Sequence, residues 1–550
     1  MFSLRGDRWL ARHGPFLLFM AFLFLLAYYV DRQLGAFTYI LVNSRVFFAL
    51  FLGITVLAAL KNLVGLKSFG TFAPAIVALV FLQAGFVYGT ILLLNILAIV
   101  IATRELIRRE LIQQDHRLAI LVILVGLAVV LTEILAEYFH YPRLDYTFLF
   151  PILILAWTAE RFVEGVDRVG WEGASKKLLG FVVMVFAAYG VMAQDGLVDG
   201  LILTPLAWPF LVLLNWYLGT RVRFRLSERF RFRRTTHRLP ATVAPADILT
   251  MNVRNREFIA KYNDPTRFAS LTKARAKALL ASHGVPVPQS HLLLQRKEDL
   301  KALEAFLQRE GSFVLKPARG HGGEGILVVR GRAGDRFDAS QGLLSAAEIL
   351  AHAQYILTGA FGGDGGDQVL VEALVVQHPA LKDVVPEGLA DVRVISFLGY
   401  PAMAMARLPT RESRGRANLH AGAVGAGIEM STGRIVHAVW HGRSVVRHPE
   451  TRAPLVGMPI PFWSEILDIA TQAQVCSGLG FAGIDVVLDA VRGPLVLEVN
   501  KRPGLEIQNA NRAGLLRRLR AIERLRGTGE VEDRVRASMD LDVTRWEASS

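Results

Sequence analysis

The chain has 550 residues, 52% of them hydrophobic, with 62 Lys and Arg against 48 Asp and Glu for a formal charge of +14. Its mean hydropathy is +0.36, whereas a soluble chain of this length sits below zero, so a disordered chain, a collagen-like chain and a plain cytosolic enzyme are excluded. The single Cys476 excludes an intrachain disulfide framework and a thiolate zinc cluster. The apolar excess is concentrated in residues 15–219, and 220–550 read as an ordinary soluble sequence of alternating strands and helices. The positive charge gathers beside the apolar segments. Membrane topology therefore accounts for it, and no nucleic-acid partner is needed.

In chain order, Met1–Gly14 is basic, and the apolar run from Pro15 to Val30 ends in Asp31-Arg32 without a small-residue cleavage pattern, which reads as a first anchor. Further apolar runs follow at 44–60, 71–103, 118–138, 146–159, 178–193 and 201–219, judged against the ~20 residues a spanning helix needs. The 71–103 run is too long for one helix and breaks near Gln83-Ala84-Gly85, either as two short helices or as a re-entrant segment plus one span. Basic loops at Arg104–Arg117 and Arg161–Lys177 alternate with Glu137–Asp145 and Gln194–Gly200, which carry little or no positive charge. The positive-inside rule then places both termini in the cytoplasm and a chain reversal at Gln83–Gly85. Asn95, Glu133 and Glu137 are expected to pair between helices or to sit near an interface. Arg221–Arg234 alternates arginine with aromatic and apolar residues directly after a span, as a juxtamembrane segment facing anionic lipid does.

The soluble half opens with helical spacing from Asn252 to Tyr262 and from Leu271 to His283. Phe313–Pro317 reads as a strand carrying Lys316. A loop with Gly320, Gly322, Gly323 and Gly325 follows, and then a second strand, Ile326–Val329. The glycines fit G-x-G-x-x-G, but a strand follows them instead of a helix, so a dinucleotide fold is rejected. A strand–glycine loop–strand hairpin can lay backbone N–H groups over phosphate oxygens while the lysine adds a compact charge.

A second hairpin joins Gly483–Leu488 to Leu495–Asn500. Strand alternation puts Val496, Glu498 and Asn500 on one face, and symmetric closure sets Asp485 opposite Glu498. Opposed carboxylates repel, and a hard divalent cation held by Asp485, Glu498 and Asn500 removes the conflict; Mg²⁺ on a triphosphate fits. Between the hairpins, the strand Val369–Leu374 ends where backbone groups can meet an adenine edge. Arg393, Arg407 and Arg416 can clamp phosphates or an acyl phosphate, although any one of them alone reads first as a surface ion-pair partner.

The order of Lys273, Lys316 with its glycine loop, Glu372, Asp391-Val-Arg393, Arg416-Ala-Asn418-Leu-His420, Asp485, and Glu498-Val-Asn500 with Pro503-Gly504 resembles an ATP-grasp ligase over about 250–525. It is most similar to the α-L-glutamate ligase-like group, which is related to the ligases that add glutamate to a ribosomal protein. That group also opens with a stretch like Met251-Asn-Val-Arg-Asn255…Tyr262-Asn263.

The resemblance implies that Lys273 and Lys316 contact ATP phosphates beneath the 320–325 loop and that Glu372-Ala373 holds adenine. Asp391 and Arg416–Asn418 would line the nucleotide and acyl-phosphate cleft. Asp485, Glu498 and Asn500 would hold Mg²⁺, two ions in all, and Arg393 or Arg407 would stabilise the tetrahedral intermediate beside Lys316. Thr272 stands where such ligases have Asp, and Lys501-Arg502 where they have small residues. The second departure is shared with ATP-grasp proteins associated with sugar transfer. The apolar half, through Leu66–Pro74, Asp115-His-Arg117, Phe150-Pro151, Glu160-Arg161-Phe162 and Phe230–Arg233, resembles the seven-helix region normally attached to an inactive transglutaminase-like domain.

The expected architecture is a polytopic α-helical membrane domain (1–219), a basic linker (220–247) and a soluble α+β ATP-grasp fold (248–312 and 313–526), with a polar tail (527–550). The expected function is a carboxylate–amine ligase of a bacterial cytoplasmic membrane, taking small-molecule or peptide acids and amines, glutamate among the candidates. The alternative is a membrane transporter or sensor whose ATP-grasp part only binds nucleotide.

Overall fold

The computed structural model describes residues 3–70, 72–107, 114–138, 149–236, 243–320, 323, 325–359, 361, 366–525 and 529–541. The chain divides into two units, Met1–Ser227 and Glu228–Ser550.

The first unit is helical: α1 (Ser3–Arg32), α2 (Leu34–Asn43), α3 (Arg45–Ala59), α4 (Ala73–Ala84), α5 (Phe86–Ile107), α6 (Gln114–Tyr138), α7 (Leu149–Met192), α8 (Asp195–Leu203) and α9 (Ala207–Arg221). Apolar runs form these helices, and glycine or proline ends several of them. The turn after α3 closes at Gly65, in the left-handed region at φ +85°. Among the described residues three helices are long and apolar enough to cross a membrane, and a fourth is obtained if α8 and α9, bent by 112°, count as one span.

The expected break in 71–103 falls at Gly85. A Cβ on Gly89 would lie 3.2 Å from the Cα of Phe81, although eight residues of continuous helix would separate them by about 12 Å. The chain therefore folds back at Gly85, and Phe81 and Phe86 both pack on Phe186 and Tyr189 of α7. With 12 residues, α4 is about 18 Å long, short of the ~30 Å hydrocarbon layer.

Two expectations are corrected. The runs 146–159 and 178–193 were to be separate spans joined by a basic loop. Instead Leu149–Met192 is one helix of 44 residues, about 66 Å long. No proline interrupts its charged middle, and the helix runs on through Gly165, Gly170 and Gly173. Gln194–Gly200 was to be a loop, but it is helical from Asp195 onward. There Asp195 and Asp199 both accept from Arg45 at the start of α3, each at 2.5 Å. The loops around 108–113 and 139–148 lie outside the described residues.

The second unit holds two antiparallel sheets. Strands β1 (Ser290–Leu294), β2 (Phe313–Pro317), β3 (Leu327–Ala333), β4 (Arg336–Ala339), β5 (Gly342–Leu344) and β6 (Val369–Glu372) form one, in the order β1-β6-β2-β3-β4-β5. The other contains β7 (Asp391–Phe397), β8 (Tyr400–Leu408), β9 (Val424–Ile428), β10 (Ile435–Trp440), β11 (Arg443–Val445), β12 (Phe481–Asp489) and β13 (Gly493–Asn500), in the order β11-β10-β9-β8-β7-β12-β13. The helices that matter below are α10 (Pro265–Ser270), α11 (Lys273–Ser282), α12 (Ala346–Leu357) and α13 (Trp463–Ser477).

Helix α13 buries Ile466, Leu467, Ala470 and Ala473 in a cluster with the even-numbered side chains Val392, Val394, Ile484, Val486 and Leu488. Alternation then directs the odd-numbered Asp391, Arg393 and Asp485 to the opposite face. Both expected hairpins form: Val314 pairs with Val328 and Asp485 with Glu498. The shared face of Val496, Glu498 and Asn500 is a third correction. A bulge sets Val496 opposite Val486, so the extra residue Leu497 turns Val496 into the core and leaves Glu498 beside Asp485.

Candidate active site

A cleft opens between the two sheets, lined by Lys273 and Lys277 of α11, Lys316 of β2, Glu372 of β6 and Glu498 of β13. Its apolar walls are Leu280, Val287, Leu370 and Val496. Three cations, two from one helix face and one from a strand, with apolar walls suit a planar base carrying a polyanion.

Local structure positions each group. Thr272 caps α11 by accepting the Arg275 amide, a role Asp fills equally well, so its departure from the family pattern leaves the helix start intact. Lys273, in the first turn, donates to the Gly320 carbonyl at 2.7 Å and lies 3.7 Å from Glu498. Lys277 follows one turn later on the same side. Glu372, 2% exposed, takes Lys277 on one oxygen and Lys316 on the other, the latter at 2.6 Å. Burial, and then the charge of Lys316, bring the Lys277 ammonium down to about 7 against the pull of Glu372. The carboxylate expected to meet adenine thus neutralises two lysines, and the Ala373 amide is taken by the Gln289 carbonyl at 2.9 Å.

The glycine loop is fixed at both ends. Buried Asp367 accepts the Arg319 amide on both oxygens, at 3.0 and 3.1 Å, and burial raises its pKa against those bonds. His352 of α12 bonds the Gly325 carbonyl at 3.0 Å; burial, opposed by that bond, lowers its pKa. Gly323 and Gly325 have φ of +83° and +68°, and the Phe361 ring occupies the space a Cβ on Gly325 would need. Gly322 lies outside the described residues.

On the face away from α13, four charges form a buried network. Arg393 holds both oxygens of Asp485 at 2.7 and 2.6 Å. Arg407 holds both oxygens of Asp391, Nε at 2.6 Å from Oδ1, and also reaches Asp485 at 2.7 Å. Burial pushes Asp391 up to about 6; Arg407 opposes this and the charge of Asp485 adds to it. Burial works upward on Asp485 too, but Arg393 and Arg407 outweigh it and hold the group below its ordinary range. The conflict expected between Asp485 and Glu498 is therefore already relieved by two guanidinium groups. Arg416 lays its side chain against Gly323, whose Cβ position is 3.2 Å from Cδ. Asn418 caps the following turn by accepting the His420 amide at 3.0 Å.

Among the described residues no three of His, Cys, Asp and Glu gather into a metal cluster. The donor set nonetheless suits Mg²⁺, which takes one or two carboxylates and leaves its other positions to water and phosphate. Glu498 keeps 35% of its side chain exposed, and the Asn500 oxygen accepts only an amide, that of Arg502, at 3.1 Å. A carboxylate offers about four lone-pair sites, and the three guanidinium contacts leave Asp485 one.

Lys277, Asp367 and Arg254 were missed from sequence. Lys277 could have been found from its i+4 spacing to Lys273. Asp367 hides behind a glycine-rich run. Arg254 donates to the Pro503 carbonyl at 2.7 Å, which gives the opening 251–263 stretch a structural role: it pins the loop after Asn500.

Residues 253–524 match the family described as sugar-transfer associated ATP-grasp. Residues 40–236 match the family described as 7 transmembrane helices usually fused to an inactive transglutaminase. The chain is thus an ATP-grasp domain following a membrane region of that type. It is 26% identical over 260 residues to a probable alpha-L-glutamate ligase of Xanthomonas campestris pv. campestris (strain 8004), covering 47% of this chain and 67% of that one. Among solved structures it is similar to the ATP-grasp ligase PsnB complexed with minimal precursor, at 18% identity and a TM-score of 0.27, covering 51% of this chain and 63% of that one. The alignment therefore spans less than two thirds of that solved protein. It is also similar to the D-cycloserine synthetase DcsG, at 18% identity and a TM-score of 0.27, covering 47% of this chain and 71% of that one.

Proposed function

We propose that this protein is a membrane-anchored, ATP-dependent carboxylate–amine ligase. The observation that carries the reading is the convergence of Lys273, Lys277, Lys316, Glu372 and Glu498 on one cleft between two sheets, at the end of an anchored glycine loop. A substrate carboxylate oxygen attacks the γ-phosphorus of ATP and ADP leaves. An amine nitrogen then attacks the acyl carbon, loses a proton and expels phosphate, giving an amide or peptide bond. Lys273 and Lys316 hold the phosphates, and the loop excludes water from them. Arg393 and Arg407, which Asp485 and Asp391 hold in place, would turn guanidinium N–H groups to the acyl phosphate and the tetrahedral oxygen as those develop negative charge. Glu498 and Asn500, with the remaining lone pair of Asp485, would hold Mg²⁺, which supplies charge neutralisation at the transferring phosphoryl group. In this reading the acid and the amine are amino acids or peptides, glutamate among the candidates as in the name of the Xanthomonas campestris relative, with the ligase domain and both termini in a bacterial cytoplasm.

The test is ADP release and product mass with pools of acids and amines. Glu498→Gln and Lys316→Ala should each cost roughly two or more orders of magnitude in rate, since removing one positioned charge or donor costs on the order of 10²–10³. Wild-type turnover in either variant sinks the assignment. Thermal stabilisation by ATP with no ADP from any pool gives the carrier or sensor reading instead.

A further inference from the structure

The cleft accounts for three cations, but two more stand directly after Asn500. Lys501 and Arg502 do not line the cleft, and among the described residues no carboxylate pairs with either. Both are nevertheless held in place. The Lys501 ammonium donates to the Phe268 carbonyl at 2.7 Å and lies 5.2 Å from the centre of the Phe268 ring. The Arg502 guanidinium lies 5.3 Å from the centre of that same ring, and its amide donates to the Asn500 oxygen at 3.1 Å.

The loop beneath them is fixed as well. The Arg254 guanidinium holds the Pro503 carbonyl. Pro503 packs over β12 at Gly483, where a Cβ would come within 2.7 Å of its ring. Gly483 is the strand partner of Asn500. Two like charges on one aromatic ring repel, and with no acid beside them they favour an anion. ATP already has Lys273, Lys277 and Lys316. In the ligase chemistry, the acid substrate is the component that must meet the γ-phosphorus first, at the Glu498–Asn500 end, before the amine arrives.

We propose that Lys501 and Arg502 form a specificity subsite for that acid, which carries a second anionic group, carboxylate or phosphate, besides the carboxyl that is activated. The substrate class rests on the ligase reading; the anion site itself does not.

The test uses the full chain in detergent, saturated with Mg²⁺ and a non-hydrolysable ATP analogue, titrated with citrate and with inorganic phosphate as probes of the two chemistries. At least one should bind saturably. Arg502→Gln should weaken it tenfold or more and Arg502→Lys less, while affinity for the analogue moves by under twofold. If neither probe binds wild type, or wild type and Arg502→Gln bind alike, the subsite is wrong.

Turnover is then compared for matched acids, glutamate against glutamine and phosphoserine against serine, with a common amine panel. ADP release favouring a charged member, with the preference falling at least tenfold in Arg502→Gln, supports the proposal. Equal release from both members of each pair overturns the substrate class and leaves the ligase standing. No release from any acid sinks the ligase reading, while the probe titrations still decide the anion site.

Discussion

At the residue scale, burial beside Lys316 brings the Lys277 ammonium well below its ordinary range. Its folded value of about 7 lies below the ordinary 10.5. Between those values the unfolded chain holds the extra proton, so this group's contribution to stability rises with pH across that window. Phosphate arriving in the cleft favours the charged amine. Nucleotide binding at pH 8 should therefore take up protons, seen as a binding heat that differs between buffers of different ionisation enthalpy. Lys277→Met should abolish that difference and flatten the rise in melting temperature between pH 7 and 10; an unchanged buffer dependence refutes the assignment. Much of the site was legible because its residues sit on strands, where spacing fixes the face: Lys316, Asp391, Arg393, Asp485 and Glu498 are charged residues set within short apolar runs. What spacing could not reveal is who neutralises whom. Sequence distance says nothing of Arg407 reaching both Asp391 and Asp485 across three strands, or of Glu372 holding lysines from a helix and a neighbouring strand.

At the scale of elements, local rules worked where one residue decides the outcome and failed where composition had to be weighed over a length. Gly85 ends α4 because its backbone, at φ 79° and ψ 164°, is one that other residues resist. By contrast, the charges of 160–177 looked like a loop only because polarity was read as a break. Alternation likewise misplaced Val496, because a bulge adds a residue without any mark in the sequence. The reversal at Gly85 depends on close packing at Gly89, whose Cβ position is 2.9 Å from the Phe81 ring. Gly89→Leu should overpack that contact and cost about 1–3 kcal/mol, read as a lower melting temperature in detergent. Gly126→Leu, with nothing within 4 Å of its Cβ position, is the control and should change little. Equal melting temperatures for the two variants argue that the reversal is not packed in this way.

For the whole molecule, contacts inside the first unit show which helix ends lie at one level, and a side of the membrane is expected for each from that. Phe16 of α1 stacks on Trp216 of α9 at 5.2 Å, and Phe24 meets Phe210 at 5.5 Å, so the two helices run antiparallel. The start of α1 then lies at the level where α9 ends. Asn62, just after α3, donates to the Leu218 carbonyl near that same end. Arg45, at the opposite end of α3, pairs with Asp195 and Asp199. Gly14, Lys61 and Arg221 therefore belong to one side, and Arg45 and Asp195 to the other. ATP is held in the cytoplasm, and among the described residues no candidate span separates the end of α9 from the ATP-grasp match that begins at residue 253, so the first group is expected there. The basic residues of Met1–Gly14, Lys61–Lys67 and Arg221–Arg234 agree with that side. These contacts lie in α1, α3, α8 and α9 and the turn after α3, so the merging of two expected spans into α7 leaves them unchanged. Fusions of a phosphatase active only outside the cytoplasm should stay silent after Gly14, Lys67 and Thr236 and turn on after Asp199. Activity after Gly14 or Lys67, or silence after Asp199, would show that α1 and α3 do not cross as their packing on α8 and α9 requires.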